Sequence, residues 1–170
     1  MLSESARMSS AAEARFRIQA PNSKPRVIKV IALDTRSEGV VRRLATGSWT
    51  HATFFTAAAS AGTPRTEPHS LVDGWLRDLA GNRKNLTNEV ESADLVVMVA
   101  MPGGNAQAAA IIGEACSLRR VTTTALVVGV ASASEEAVSK TLEQVRPWSL
   151  MVVIANPDDY IDDMLIAMRA

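Results

Sequence analysis

This sequence is poor in the residues that usually announce a chemistry. One residue in 170 is a cysteine, Cys116, so no disulfide can form within the chain and nothing calls for an oxidising compartment. The two histidines, His51 and His69, stand apart, and neither has a metal-ligand spacing with Cys116. Aromatic residues make up only 4% of the chain and the formal net charge is zero. A balanced charge removes the field that would draw nucleic acid or an anionic membrane. No apolar run approaches the roughly 18 residues of a membrane span, and the N-terminus lacks the apolar stretch of a secretory signal. The expectation is a cytoplasmic protein with no nucleic-acid and no membrane partner.

What the chain does have is apolar residues in the right rhythm, 47% of the total against 21% charged. Its length suits one domain, large enough to bury about two-thirds of its unfolded surface. Met1 to Pro25 is rich in serine and alanine and reads as a mobile arm with a short helix over Ala11 to Ile18. A single domain is expected over 26–170.

Leu95 to Met101 is a continuous apolar run of strand length, without the alternation of a half-wet strand, so it reads as covered on both faces. Pro102, Gly103, Gly104 and Asn105 follow, with Asn105 placed to cap a helix that Ala106 begins. A strand that passes through glycines into a helix N-terminus offers backbone N–H groups to an anion. Further strands are expected over Val27 to Leu33, His51 to Ala58, Thr122 to Val130 and Leu150 to Ala155.

Helices are expected between them. Gly39 to Thr46 carries Val40, Val41 and Leu44 on one side, and Leu71, Val72, Trp75, Leu76 and Leu79 fall at helical spacing. Asn85 to Ser92 supplies a further turn or two. Ser132 to Glu135 has the spacing of a capping box ahead of Val138, Leu142 and Val145. Asn156-Pro157-Asp158-Asp159 opens a last helix that buries Ile161, Leu165 and Met168. Strands alternating with helices give an α/β fold: three layers, α/β/α, with a doubly wound, mostly parallel five-stranded sheet. The expected strand order is 2-1-3-4-5, Rossmann-like, which puts the switch point between the first and third strands. The loops there are Asp34 to Gly39 and Pro102 to Ala106.

The candidate ligand-binding residues are therefore Asp34, Arg36, Gly39, Gly103, Gly104 and Asn105. The two glycines let backbone approach a phosphate, and a plain strand-to-helix turn uses them for the same steric freedom. Asp34 is placed either for a functional acid or for a helix cap. Arg36 either pairs with a phosphate or faces solvent. Cys116 reads as a small buried apolar residue, since no base stands beside it. Asp158, Asp159, Asp162 and Asp163 resemble a metal cluster but divide between dipole complement and solvated face. The tryptophans at 49, 75 and 148 fall near element ends, and Trp75 with Leu71, Val72 and Leu79 suggests an exposed patch and a homodimer.

Several of these stretches resemble one family. Val27-Ile-Lys-Val-Ile, the Phe54-Phe55 pair, Ala93-Asp-Leu-Val through Gly103-Gly104, Val121-Thr-Thr-Thr-Ala-Leu-Val-Val and Ile154-Ala-Asn156 are similar, in order and spacing, to the GTP-binding domain of the FtsZ/tubulin superfamily. The family's glycine cluster after the first strand is replaced here by Leu33-Asp-Thr-Arg-Ser-Glu-Gly39. Its alternating glycine–threonine signature is replaced by Met101-Pro-Gly-Gly-Asn-Ala-Gln107. Only Gly103 and Gly104 carry over as phosphate-loop positions, with Asn105 as a neighbour, and the acidic catalytic loop has no counterpart before Ala170. The resemblance implies the fold, and with these losses it implies no GTPase activity. Two functions follow as expectations: a domain that binds a nucleotide-like or other phosphate-bearing small molecule, or an FtsZ-like structural protein that self-associates and has lost its nucleotide site. No particular cofactor is implied.

Overall fold

The apolar runs become neighbouring parallel strands, as burial on both faces requires. The computed structural model describes residues 24–57, 76–156, 161–168 and 170. Along the chain these are β1 (Ile28–Ala32), α1 (Thr35–Leu44), β2 (Ala52–Thr56), β3 (Leu76–Asp78), β4 (Arg83–Lys84) and α2 (Leu86–Glu91). There follow β5 (Leu95–Ala100), α3 (Ala108–Arg119), β6 (Thr122–Val128), α4 (Glu135–Val145), β7 (Met151–Ala155) and α5 (Ile161–Ala167). The strands form one seven-stranded sheet in the order β4-β3-β2-β1-β5-β6-β7.

β5 lies in the middle and is buried at every position. Its side chains alternate between two cores. Val96, Met98 and Ala100 pack with Phe55, Ile112 and Val127 on one face, and Val97 and Val99 pack with Val41, Leu44 and Leu165 on the other. Helices thus cover both faces of the sheet, and the strand ends after β1 and β5 lie side by side, with Ala32 paired to Val99. β1 carries one buried charge, Lys29, whose Nζ lies 2.8 Å from Glu89 Oε2 and 5.7 Å from the centre of the Phe55 ring.

The sheet departs from the five-stranded expectation. β2, β1, β5, β6 and β7 run parallel in that order, but β3 and β4 add an antiparallel hairpin beside β2. Seven strands therefore replace five, and the order is longer by that hairpin. The helix expected over 71–79 is corrected at its described end, where Leu76 lies in β3. The cause is local turn chemistry. Asp78 Oδ1 accepts from the N–H groups of Ala80 and Asn82, Asn82 Nδ2 donates to Asp78 Oδ2, and Gly81 takes φ +90°, so the chain reverses before a helical turn can close.

Three helix starts also shift. α1 begins at Thr35 rather than Gly39, because Asp34 caps it. α3 begins at Ala108, with Asn105 Oδ1 accepting from the Gln107 N–H in the turn before the helix. α4 is capped by Ser134, whose Oγ accepts from the Ala137 N–H, while Ser132 belongs to a preceding 3-10 turn and donates to the Gly129 carbonyl. The N-terminal arm up to residue 23, Leu71, Val72, Trp75, His69 and the Asn156-to-Asp159 helix start beyond Asn156 lie outside the described residues. So the apolar patch built on Trp75 is not described, while its remaining member, Leu79, is half-buried against the second core. Trp49 and Trp148 are likewise half-buried against the two cores.

Candidate functional site

β1 ends at Ala32, and two residues later the chain must turn into α1. Asp34 makes that turn. Its backbone is extended and its side chain caps the helix: Oδ1 accepts from the N–H groups of Arg36 and Ser37, both at 2.9 Å. Ser37 completes a reciprocal cap, its Oγ lying 3.2 Å from the Asp34 N and donating to the Asp34 carbonyl at 2.9 Å. The other carboxylate oxygen, Oδ2, reaches across to the end of β5 and accepts from the Met101 N–H at 3.1 Å. Asp34 is 4% exposed, so these bonds are made in a site largely closed to water.

The glycine loop after β5 is shaped around that carboxylate. Gly104 N donates to the Met101 carbonyl at 3.0 Å, closing a tight turn. A Cβ at Gly104 would lie 2.5 Å from Asp34 Cγ, so a glycine is required for the loop to rest there. Gly103 takes φ +82°, in the left-handed region that favours glycine. It faces the Arg36 guanidinium, whose Nη1 donates to the Pro102 carbonyl at 3.3 Å. The N–H of Ala106, two residues after Gly104, donates to Gln144 Oε1 on α4, which pins the loop from the other side.

The expected residues are thus brought together, except one. Asp34, Arg36, Gly103 and Gly104 meet at the switch point, Asn105 stands at the exposed rim, and Gly39 lies in the middle of α1 with no atom near its absent Cβ. What sequence reasoning missed is Gln144 and the Met101 N–H. Both are tertiary partners, and neither spacing nor composition signals them. Arg36, Gly103 and Asn105 are exposed, so the outer rim of the loop meets water.

The chemistry this arrangement supports is limited by how fully it is satisfied. An anion site at a strand-to-helix turn works through free N–H groups and the helix dipole. Here the Arg36, Ser37 and Met101 N–H groups already bond a carboxylate that the chain supplies itself. Among the described residues no buried side-chain nitrogen or oxygen lacks a partner, and no cluster of histidine, cysteine and acids could hold a metal ion. Asp162 and Asp163 are exposed in the first turn of α5. Cys116 is buried, and burial pushes its thiol up to about 12, against a smaller downward pull from the Arg119 charge. It is no nucleophile at neutral pH. A cavity of about 370 Å³ opens at the opposite end of the sheet, between Gly113, Thr122, Trp148 and Leu150.

No family model matches the sequence, and no curated protein matches it either. Among solved structures, the chain is similar to translation elongation factor SelB from Methanococcus maripaludis in complex with the GTP analogue GppNHp. Identity is 8%, the TM-score 0.49, and the match covers 85% of this chain and 33% of that one. This chain therefore spans about a third of the elongation factor's length. It is also similar to the apo-form of the flavoprotein from Lactobacillus acidophilus NCFM, at 10% identity and a TM-score of 0.46, over 82% of this chain and 97% of that one. Both are generic α/β likenesses, and neither links the chain to the FtsZ/tubulin superfamily.

Proposed function

We propose that this chain is a Rossmann-like interaction domain that works by self-association, an FtsZ-like core whose anion site is filled by its own Asp34. The observation that carries the reading is the Asp34 carboxylate on the Arg36, Ser37 and Met101 N–H groups. A triphosphate at this turn would have to displace a buried carboxylate from good hydrogen bonds and then lie beside it. Both steps are unfavourable, since breaking hydrogen bonds to a charged group costs about 1.5–3 kcal/mol each. Phosphoryl transfer depends on donors aimed at the developing charge, and here the donors are spent.

A second reading keeps a phosphate-bearing small molecule on the rim, against the exposed Arg36 guanidinium and the Gly103 backbone. Arginine suits such a contact, and it would leave the Asp34 cap undisturbed. A thermal-shift screen with nucleotides, dinucleotides and sugar phosphates separates the two, because a ligand that binds only the native state raises its melting temperature. The interaction reading expects a flat screen, no phosphate release from GTP with magnesium and potassium, and a mass by light scattering that grows with concentration. A ligand-dependent rise that Arg36→Ala abolishes would favour the second reading instead.

A further inference from the structure

We propose that β7 is the surface through which two copies of this chain join, edge to edge and antiparallel about a two-fold axis. The inference rests on the self-association reading and names its surface. β7 is the last strand of the sheet, paired on one side to β6. The Ala155 carbonyl accepts from the Gly129 N–H, and Val128 is in register with Ala155. Strand backbones alternate, so Met151, Val153 and Ala155 turn their polar groups to β6, and Val152 and Ile154 turn theirs outward. Among the described residues no strand meets them.

The side chains along this edge are those a soluble protein avoids leaving in water. Leu150 is 82% exposed, Ile154 51% and Met151 48%. From Pro147 to Asn156 there is no charged residue and no further proline to block pairing. Natural edges are guarded by short strands and by charge, above all lysine. The far edge of this same sheet is guarded in that way: β4 is Arg83–Lys84, a strand of two residues. The contrast marks β7 as an edge meant to be covered.

A second copy fits the edge because the edge complements itself. A two-fold axis normal to the sheet keeps each face on its own side, so paired residues share the same parity. Centring the axis on Val153 sets Val152 against the partner's Ile154 and Ile154 against the partner's Val152. Each outward N–H then finds an outward C=O, and β-branched side chains meet across the junction, a favourable cross-strand pair. The open groove beside Trp148 and Leu150 lies where the antiparallel partner's chain leaves its own β7.

The test uses the full chain and Ile154→Lys, with Leu150→Lys as a second variant at a more exposed position and Ile166→Lys, on exposed α5 surface, as control. Sedimentation velocity across the micromolar range should show dimers for the wild type and the control, and at least about tenfold weaker association for both β7 variants with their cooperative melts kept. Val153→Cys should also give covalent dimers on mild oxidation, because opposed residues of a non-hydrogen-bonded pair lie within disulfide reach and Cys116 is buried. Dimers that persist in Ile154→Lys and Leu150→Lys, without cross-linking at 153, overturn this surface and leave the self-association reading standing. A wild type that stays monomeric overturns both.

Discussion

Asp34 does at this turn what a bound phosphate does at others: it answers the helix N-terminus and ties two strand ends together. Asp34→Ala removes the acceptor for the Arg36, Ser37 and Met101 N–H groups at once. The expected loss is about 2–3 kcal/mol, a helix cap plus a buried N–H left unsatisfied, read from chemical denaturation. Gly104→Ala forces a Cβ to within 2.5 Å of Asp34 Cγ and should cost a similar amount. In Asp34→Ala the contacts with Cγ and Oδ1 are gone and only the 2.9 Å approach to the residue's own Cβ remains, so the double mutant should fall short of the sum of the two losses. Full additivity would mean that the two residues do not share this contact. Cys116 gives a second prediction at this scale. Its thiol is pushed up from 9.0 to about 12 by burial. Below pH 9 the folded and unfolded chains both keep the proton, and the thiol adds no pH dependence. Above it the unfolded chain ionises first, so stability falls as pH rises, by about 1.4 kcal/mol per unit from this one group. Denaturation of Cys116→Ala over the same range should lack that component of the slope, and thiol reagents should label wild-type Cys116 only after unfolding.

The helices show a misplacement that substitution can reverse. Gly39 sits exposed inside α1 with nothing within 4 Å of an added Cβ, whereas Arg120 caps α3 in the left-handed region at φ 57°. Gly39→Ala should raise stability by about 0.5–1 kcal/mol, and Arg120→Gly should gain a similar amount by relieving the Cβ strain. Both should appear as a higher melting temperature with unchanged far-UV signal. Failure of the first would mean that Gly39 is kept for a contact outside the described residues. These elements also show how far the sequence could be read. The parallel strands were legible because a strand buried on both faces, such as Leu95 to Ala100, writes itself as an uninterrupted apolar run. The hairpin of β3 and β4 was not, since Leu76 and Leu79 fit helical spacing and two- and three-residue strands have no period to detect. At the site, Asp34 and Gly104 could be placed at the same crevice from loop positions alone. That they fill it together depends on the Gly104 backbone lying so close to Asp34 that an added Cβ would meet its Cγ at 2.5 Å, a contact across seventy positions that no local pattern records.

For the whole molecule, the two rims of the sheet decide what kind of assembly is open to it. Among the described residues one rim, β7, is apolar and meets no further strand; the other, β4, is two residues long and positively charged. A sheet with two bare rims could add copies at both sides without end, which is the geometry of a fibre. In the proposed dimer, joining two copies through β7 uses up the apolar edge, and the rims left exposed among the described residues are two short β4 strands carrying Arg83 and Lys84, with Lys84 Nζ 3.9 Å from Asp78 Oδ2. On that proposal growth stops at the pair, and light scattering should level off at two chains however concentrated the solution. Arg83 and Lys84, which have no part in the crevice, then act as the stop. Replacing both with valine should turn a finite particle into an open-ended polymer and cost the protein its solubility.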